Sequence, residues 1–356
     1  MPIYDQSYKH WAGSFKSHAL RWWVITKYGI RMAFKKKAVS ALFVFAILPF
    51  VASIVYIYGL THIGKVSGFI KGIGGGGAMP AFRGKVYEVE AEGNTESFLA
   101  NLKEEGLEPQ SFGKGWKVPL PDEENSKKIR AIAKRSGVKI TRLVPPGLRA
   151  DFYNGYLNRL FLFLFLFLLA VGSGLIAKDI KFNALQIYLA KPITAVEYIL
   201  GKLGVVVFFL VMITLVPGVL LFLIQAIMVG DSLYLRHYWW VPGAICGYSL
   251  LMVFSGAVAV LALSAFSRNV RSAAIGAAAL FWFSPMVAQL LRTSTFNDTY
   301  LLVSFPYNWT RVGEKIFGLS GGTGARWEWS LLIVMAVLAL SAAGLLRRIR
   351  AVEVVK

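Results

Sequence analysis

The chain has 356 residues, of which 56% are hydrophobic and only 16% charged, and its mean hydropathy is +0.55. That balance excludes an ordinary soluble domain. The net charge of +20 would suggest nucleic acid in a soluble protein, but the basic residues cluster beside apolar segments, so membrane lipids with anionic headgroups are the expected partner and nucleic acid is not.

The first 38 residues are aromatic and basic and lack the short apolar region of a cleavable signal peptide. Within them, Phe15 to Lys37 reads as an amphipathic helix. At 100° per residue, Phe15, Ala19, Trp22, Trp23, Ile30 and Ala33 share a face, with Lys16, Arg21, Lys27, Arg31 and Lys35 over much of the rest. A helix lying in the headgroup region has this pattern, with Trp22 and Trp23 inward and Lys27 and Arg31 toward phosphates. So does a soluble amphipathic helix packed on another domain.

Six apolar runs follow, approximately 38–60, 160–177, 203–228, 241–266, 273–291 and 330–346, each long enough for a bilayer core of about 30 Å. Pro49, Pro217 and Pro285 predict kinks inside them. With the N-terminus inside, the inner segments hold eighteen Lys and Arg, against five in the short outer loops (Arg236, Arg292, Arg311, Lys315, Arg326). Both termini are therefore expected in the cytoplasm of a multi-pass cell-membrane protein. The chain divides into residues 1–60 (N-terminus, surface helix and first span), 61–157 (an outer domain) and 158–356 (spans two to six).

In the outer domain, the glycine run 72–77 reads as a tether. It is not a phosphate loop, because the spacing to Gly84-Lys85 is wrong and Val86 stands where a magnesium-binding Ser or Thr belongs. From Lys85 the alternation predicts strand, helix, hairpin, helix and strand. This βαββαβ order predicts a small α+β, ferredoxin-like domain.

Between the second and third runs, residues 178–202 cannot span. Lys178, Lys181, Lys191 and Lys202 outnumber Asp179 and Glu197, which favours the cytoplasm. Ala184, Leu185, Tyr188 and Leu189 recur at helical spacing, Pro192 ends that helix, and Thr194 can cap the next. A firm helix–proline–helix knob fits the pattern, and so does a solvated loop.

The expected spans carry no Asp, Glu, Lys, Arg or His inside them, which disfavours an ion-driven carrier. Ser173, Thr214, Gln225, Ser249, Ser255, Ser264, Ser284 and Gln289 are read first as helix–helix hydrogen bonders. His10, His18, His62 and His237 are scattered without metal spacing or a nucleophile partner, so neither a metal nor a catalytic site is expected. The single Cys246 leaves no internal disulfide to form.

Asp179 and Lys181, the leucine-rich 185–189, Leu189-Ala190-Lys191-Pro192 and Gly201-Lys202 follow one another as in the cytoplasmic loop of ABC-2 type transporter permeases. The resemblance extends to the surface helix before the first span, to Leu263-Ser264-Ala265-Phe266-Ser267-Arg268-Asn269 and to Ser304-Phe305-Pro306-Tyr307. Two elements depart from the family pattern: Asp179 replaces its usual Glu, and Asn183-Ala184 its Gly-Thr. The resemblance implies a non-enzymatic permease subunit that pairs with a second permease copy and with separate ATPase subunits, which bind the ATP and magnesium. It implies that the 178–202 loop is the coupling helix, with Asp179, Lys181, Leu185, Tyr188, Leu189, Pro192, Glu197, Gly201 and Lys202 as its ATPase-coupling residues. The charge-free spans suit export of a hydrophobic or amphiphilic substrate. The alternatives are a membrane machine that passes ATPase motion to the outer domain without moving solute, and a sodium-exporting permease.

Overall fold

A computed structural model describes residues 21–62, 85–93, 95–112, 115–120, 126–144, 149–184, 188, 193–319 and 324–353. Phe15, Ala19, Leu185, Leu189, Pro192 and the glycine run at 72–77 lie outside the described residues.

Two helices open the chain: α1 (Arg21–Phe34) and, after a short break, α2 (Lys37–His62). An α+β unit follows, comprising β1 (Lys85–Glu92), α3 (Thr95–Glu104), β2 (Gln110–Phe112), β3 (Gly115–Leu120), α4 (Ser126–Arg135) and β4 (Lys139–Val144). The rest is helical: α5 (Ala150–Lys181), α6 (Ala195–Val229), α7 (Ser232–Tyr238), α8 (Val241–Phe266), α9 (Val270–Thr295), α10 (Phe305–Ile316) and α11 (Trp327–Glu353). Among the described residues, α2, α5, α6, α8, α9 and α11 are long and apolar enough to cross a membrane. This is the architecture of an α-helical, multi-pass membrane protein.

Helix α8 is the axis. Of its most apolar window 72% is buried, against 56% for α5 and 50% for α6, whereas α2, α9 and α11 are each 17% buried and ring the outside. Small residues allow the close packing: a Cβ on Gly172 of α5 would stand 2.9 Å from Val260 of α8.

The sequence predicts kinks at Pro49, Pro217 and Pro285, and the structure has irregularities at the last two, with further breaks in α5. Helix α5 loosens into a π-turn at Leu168–Gly172 and breaks again at Ile176, α6 breaks at Thr214, and α9 has a π-turn at Ala279–Phe283. Two of these breaks trace to proline. Pro217 has no N–H for the Ile213 carbonyl four residues back, and Pro285 bears on the π-turn in the same way. Pro49 sits within an uninterrupted α2.

The α+β unit is a four-stranded antiparallel sheet in the order β2-β3-β1-β4. Tyr87, Val89, Val118, Leu120 and Leu143 pack from the sheet against Phe98, Leu102, Ile129 and Ile132 of the two helices. Edge strand β4 carries a register shift that leaves Thr141 unmatched between Arg142 opposite Glu90 and Ile140 opposite Ala91. Such a bulge guards an edge against strand addition. Helix α5 begins at Ala150, so Tyr153, Tyr156 and Leu157 belong to the core of the helical bundle.

Candidate functional site

The described residues among those singled out around 178–202 converge at one end of the bundle, where α1, α5 and α6 meet. Thr194 and Glu197 form a reciprocal capping box: the Glu197 carboxylate accepts from the Thr194 N–H (2.8 Å), and the Thr194 hydroxyl accepts from the Glu197 N–H (3.2 Å). The third span was expected from Leu203. As expected, Thr194 caps the helix that runs into this span, so α6 starts at Ala195 and takes Lys202 into its second turn.

Lys202 and Asp179 face each other. Their ion pair is 2.6 Å long, and their side chains are only 10% and 16% exposed. Tyr198 donates a hydrogen bond to the same carboxylate (2.7 Å). The Lys202 ammonium stands 5.4 Å from the ring centroids of both Tyr188 and Tyr198, which hold a desolvated cation well. Thus Asp179, Tyr188 and Lys202 form an internal clasp between the ends of α5 and α6. Lys181 and Phe182 point out from the same connection, Phe182 with 70% of its surface exposed and the Lys181 ammonium 5.6 Å from its ring centroid.

Gly201 acts by its lack of a side chain. Helix α1 crosses α6 so closely that a Cβ at Gly201 would lie 2.6 Å from Ile25, one at Gly204 2.6 Å from the Thr26 hydroxyl, and one at Gly29 2.4 Å from Val205. Buried Thr26 donates to the Gly201 carbonyl at 3.0 Å. The face of α1 turned to the protein is therefore Trp22, Ile25, Thr26, Gly29 and Ala33. Trp22 is half-buried on that face, whereas Trp23 is 49% exposed beside the exposed Lys27 and Arg31. Contact with α6, rather than amphipathic periodicity alone, decides which side is buried.

Ser264 completes this end. Its hydroxyl donates to the Ser173 carbonyl (2.8 Å) and accepts from the N–H groups of Ile176 (3.2 Å) and Ala177 (2.9 Å), satisfying α5 where its helix breaks.

A second clasp lies at the opposite end of α6. Gly230 ends the helix in a left-handed turn (φ 62°), and Asp231 caps α7 by accepting from the Leu233 N–H (2.9 Å). The same carboxylate accepts from the Tyr87 hydroxyl (2.7 Å) and the Ser126 N–H (3.0 Å), binding β1 and the start of α4 to the helical bundle. Leu233 packs into the core of the α+β unit. Burial works against the Asp231 charge, but the hydrogen bonds from Tyr87, Leu233 and Ser126 outweigh it and hold its pKa below the ordinary value. Burial, then the bonded carboxylate, pushes the Tyr87 hydroxyl up. The sequence reading passed over Asp231, although Gly-Asp-Ser after an apolar run is a helix-stop, helix-start signature.

Asp231→Ala would leave a buried hydroxyl and a buried N–H without their acceptor, at a cost of about 1–3 kcal/mol. We expect faster hydrogen exchange at β1 and the first turn of α4, with α8 unchanged. Because the folded pKa is lowered, the wild-type contact is fully present at neutral pH and is lost only as pH falls through the depressed value, below the usual 3.8.

Among the described residues no group of His, Cys, Asp or Glu could hold a metal ion. His237 lies against Tyr238 on α7 with its pKa lowered by burial and then by Arg142. Comparison with protein-family models and with curated proteins finds no match to this chain.

Proposed function

We propose that this chain is the membrane subunit of an ATP-driven exporter of the ABC-2 class, moving a hydrophobic or amphiphilic substrate when joined to separate ATPase subunits and a second membrane subunit. The observation that carries the reading is the clasp that ties the end of α5 to the start of α6. A force applied at Lys181 and Phe182 meets the Asp179–Lys202–Tyr198 clasp, the capped start of α6 and the tightly crossed α1, and so reaches two spans. The excess of Lys and Arg at this end supports a cytoplasmic position, and hence an outer position for the α+β unit. The strand order and antiparallel pairing of that unit support a ferredoxin-like arrangement.

The test uses the tagged chain purified from its native membranes. We expect a magnesium-dependent ATPase to accompany it in fixed stoichiometry. Lys181→Glu with Phe182→Asp should release that ATPase while the chain stays monodisperse. A chain that carries no ATP hydrolysis, or a double variant that retains it in full, would overturn the reading.

A second reading draws on the Asp231 clasp: motion of the spans would be delivered to the α+β unit, which acts on an outer partner, and no solute crosses. Asp231→Ala separates the two. An exporter would still move cargo, whereas a motion-transmitting machine would hydrolyse ATP without effect.

A further inference from the structure

At the α7 end of the bundle, α5, α8, α9 and α10 line a partly open cavity of about 330 Å³, within the range of small-molecule sites. Its walls are stiff. Trp309 stands on the wall with its ring 6.3 Å from Phe161 and 5.0 Å from Phe305, and its indole N–H is held by Ser255 at 2.9 Å. Close glycine contacts fix α10 on α8: a Cβ at Gly313 would lie 2.5 Å from the Tyr248 ring, and one at Gly256 3.2 Å from Trp309. Met252 and Pro285 add apolar surface.

None of the ten lining residues is Asp, Glu, Lys, Arg or His. The polar groups are neutral, and Asn158, Tyr307 and Thr310 keep hydrogen-bonding capacity to spare. Tyr248 donates to the Asn158 carbonyl oxygen, and the Asn158 amide reaches Asn154 at 3.4 Å, which engages one of its two protons. Tyr307 accepts from the Ala325 N–H at 3.2 Å, so its own proton is available, and Thr310 donates to the Pro306 carbonyl, so its lone pairs are. The nearby charges on α10, Arg311 and Glu314, pair with each other at 2.6 Å. The cavity thus offers donors and acceptors without charge beside an apolar, aromatic wall. A charged headgroup there would lose water and find no counter-ion, whereas hydroxyls and an ester would be matched.

We propose that this cavity binds the head and first chain carbons of an uncharged, hydroxyl- or ester-bearing amphiphile of the monoacylglycerol type, and that it is a cargo site. The cargo role rests on the export reading; the binding does not. The probe is a diazirine-bearing monoacylglycerol, photocrosslinked to the purified full chain in nanodiscs and mapped by peptide mass spectrometry. We expect labelling in 248–252 and 306–310, displaced by plain monoacylglycerol at a concentration at least tenfold lower than by a lysophosphatidic acid or an alkyl trimethylammonium. Thr310→Trp, which fills the cavity, should remove the labelling. Asn158→Leu, with about one hydrogen bond lost, should weaken it about tenfold. Met252→Phe serves as the filling variant if Thr310→Trp does not purify monodisperse. Equal competition by the charged amphiphiles, or labelling that persists in the filled variants, overturns the site. No ATPase is present in the assay, so labelling that survives failure of the ATPase test leaves the site standing and removes only its role in export, while loss of labelling with the ATPase still bound removes the site alone.

Discussion

Lys202→Met is expected to cost about 3–5 kcal/mol, because it removes one partner of a nearly buried ion pair and strands the other. Asp179 would be left 16% exposed with only the Tyr198 hydroxyl to hold it. The companion variant Asp179→Leu/Lys202→Met removes both charges and should recover most of the loss, since apolar groups of similar volume replace buried ion pairs with little cost. Chemical denaturation in detergent micelles measures both. If the single variant melts like the wild type, the clasp is not a stabilising contact; if the double variant is no better than the single, the pair is not what holds α5 to α6. The double variant has a further use. A protein that folds and keeps its ATPase but no longer links hydrolysis to transport would assign the clasp to transmission.

Gly201→Val should be nearly as damaging, by a different route. The added carbons would enter space held by Ile25 and the Trp22 carbonyl, the latter only 3.0 Å from the Cβ position. Overpacking of this kind costs about 1–3 kcal/mol when neighbours yield, and more when backbone must move. Here backbone is the obstacle, so α1 is expected to lift from α6 and expose Thr26. A cysteine at Ala33, which is 5% exposed, reports the change: its reaction with a thiol reagent should be slow in the parent and fast in Gly201→Val. Unchanged reactivity would mean that α1 is held elsewhere.

The broad architecture was legible because bilayer thickness imposes one length on every span, and alternation in 85–144 imposes another on strands. The six runs and the strand–helix order both follow from such periodicities. What they do not carry is which distant residues meet. Asp179 and Lys202 each read as a charge beside a span, and their spacing in sequence says nothing of α5 and α6 lying side by side. The apolar run alone begins at Leu203 and leaves Lys202 outside it by one residue; the Thr194 cap was legible, and Glu197 completes it as a T-x-x-E box. Ser264 is one of eight mild polar residues in the sequence, and only the break at Ile176 makes it the group that satisfies two backbone N–H groups. The π-turn at Leu168–Gly172 has no proline in it or in the turn that follows, so nothing in the local residue pattern announces it.

The two clasps sit near opposite ends of one polypeptide rod. Helix α6 counts 35 residues, about 52 Å at 1.5 Å per residue, with Lys202 in its second turn and Asp231 two residues past its last. Its break at Thr214 divides the rod into arms of 19 and 15 residues, about 28 and 22 Å. A lever jointed there has a ratio close to one: a bend of about 10° would swing either tip by about 4–5 Å, close to one helical turn. With the tips pinned to separate parts of the molecule, the joint at Thr214 is where strain from either side would gather, as at an elbow bent by two hands.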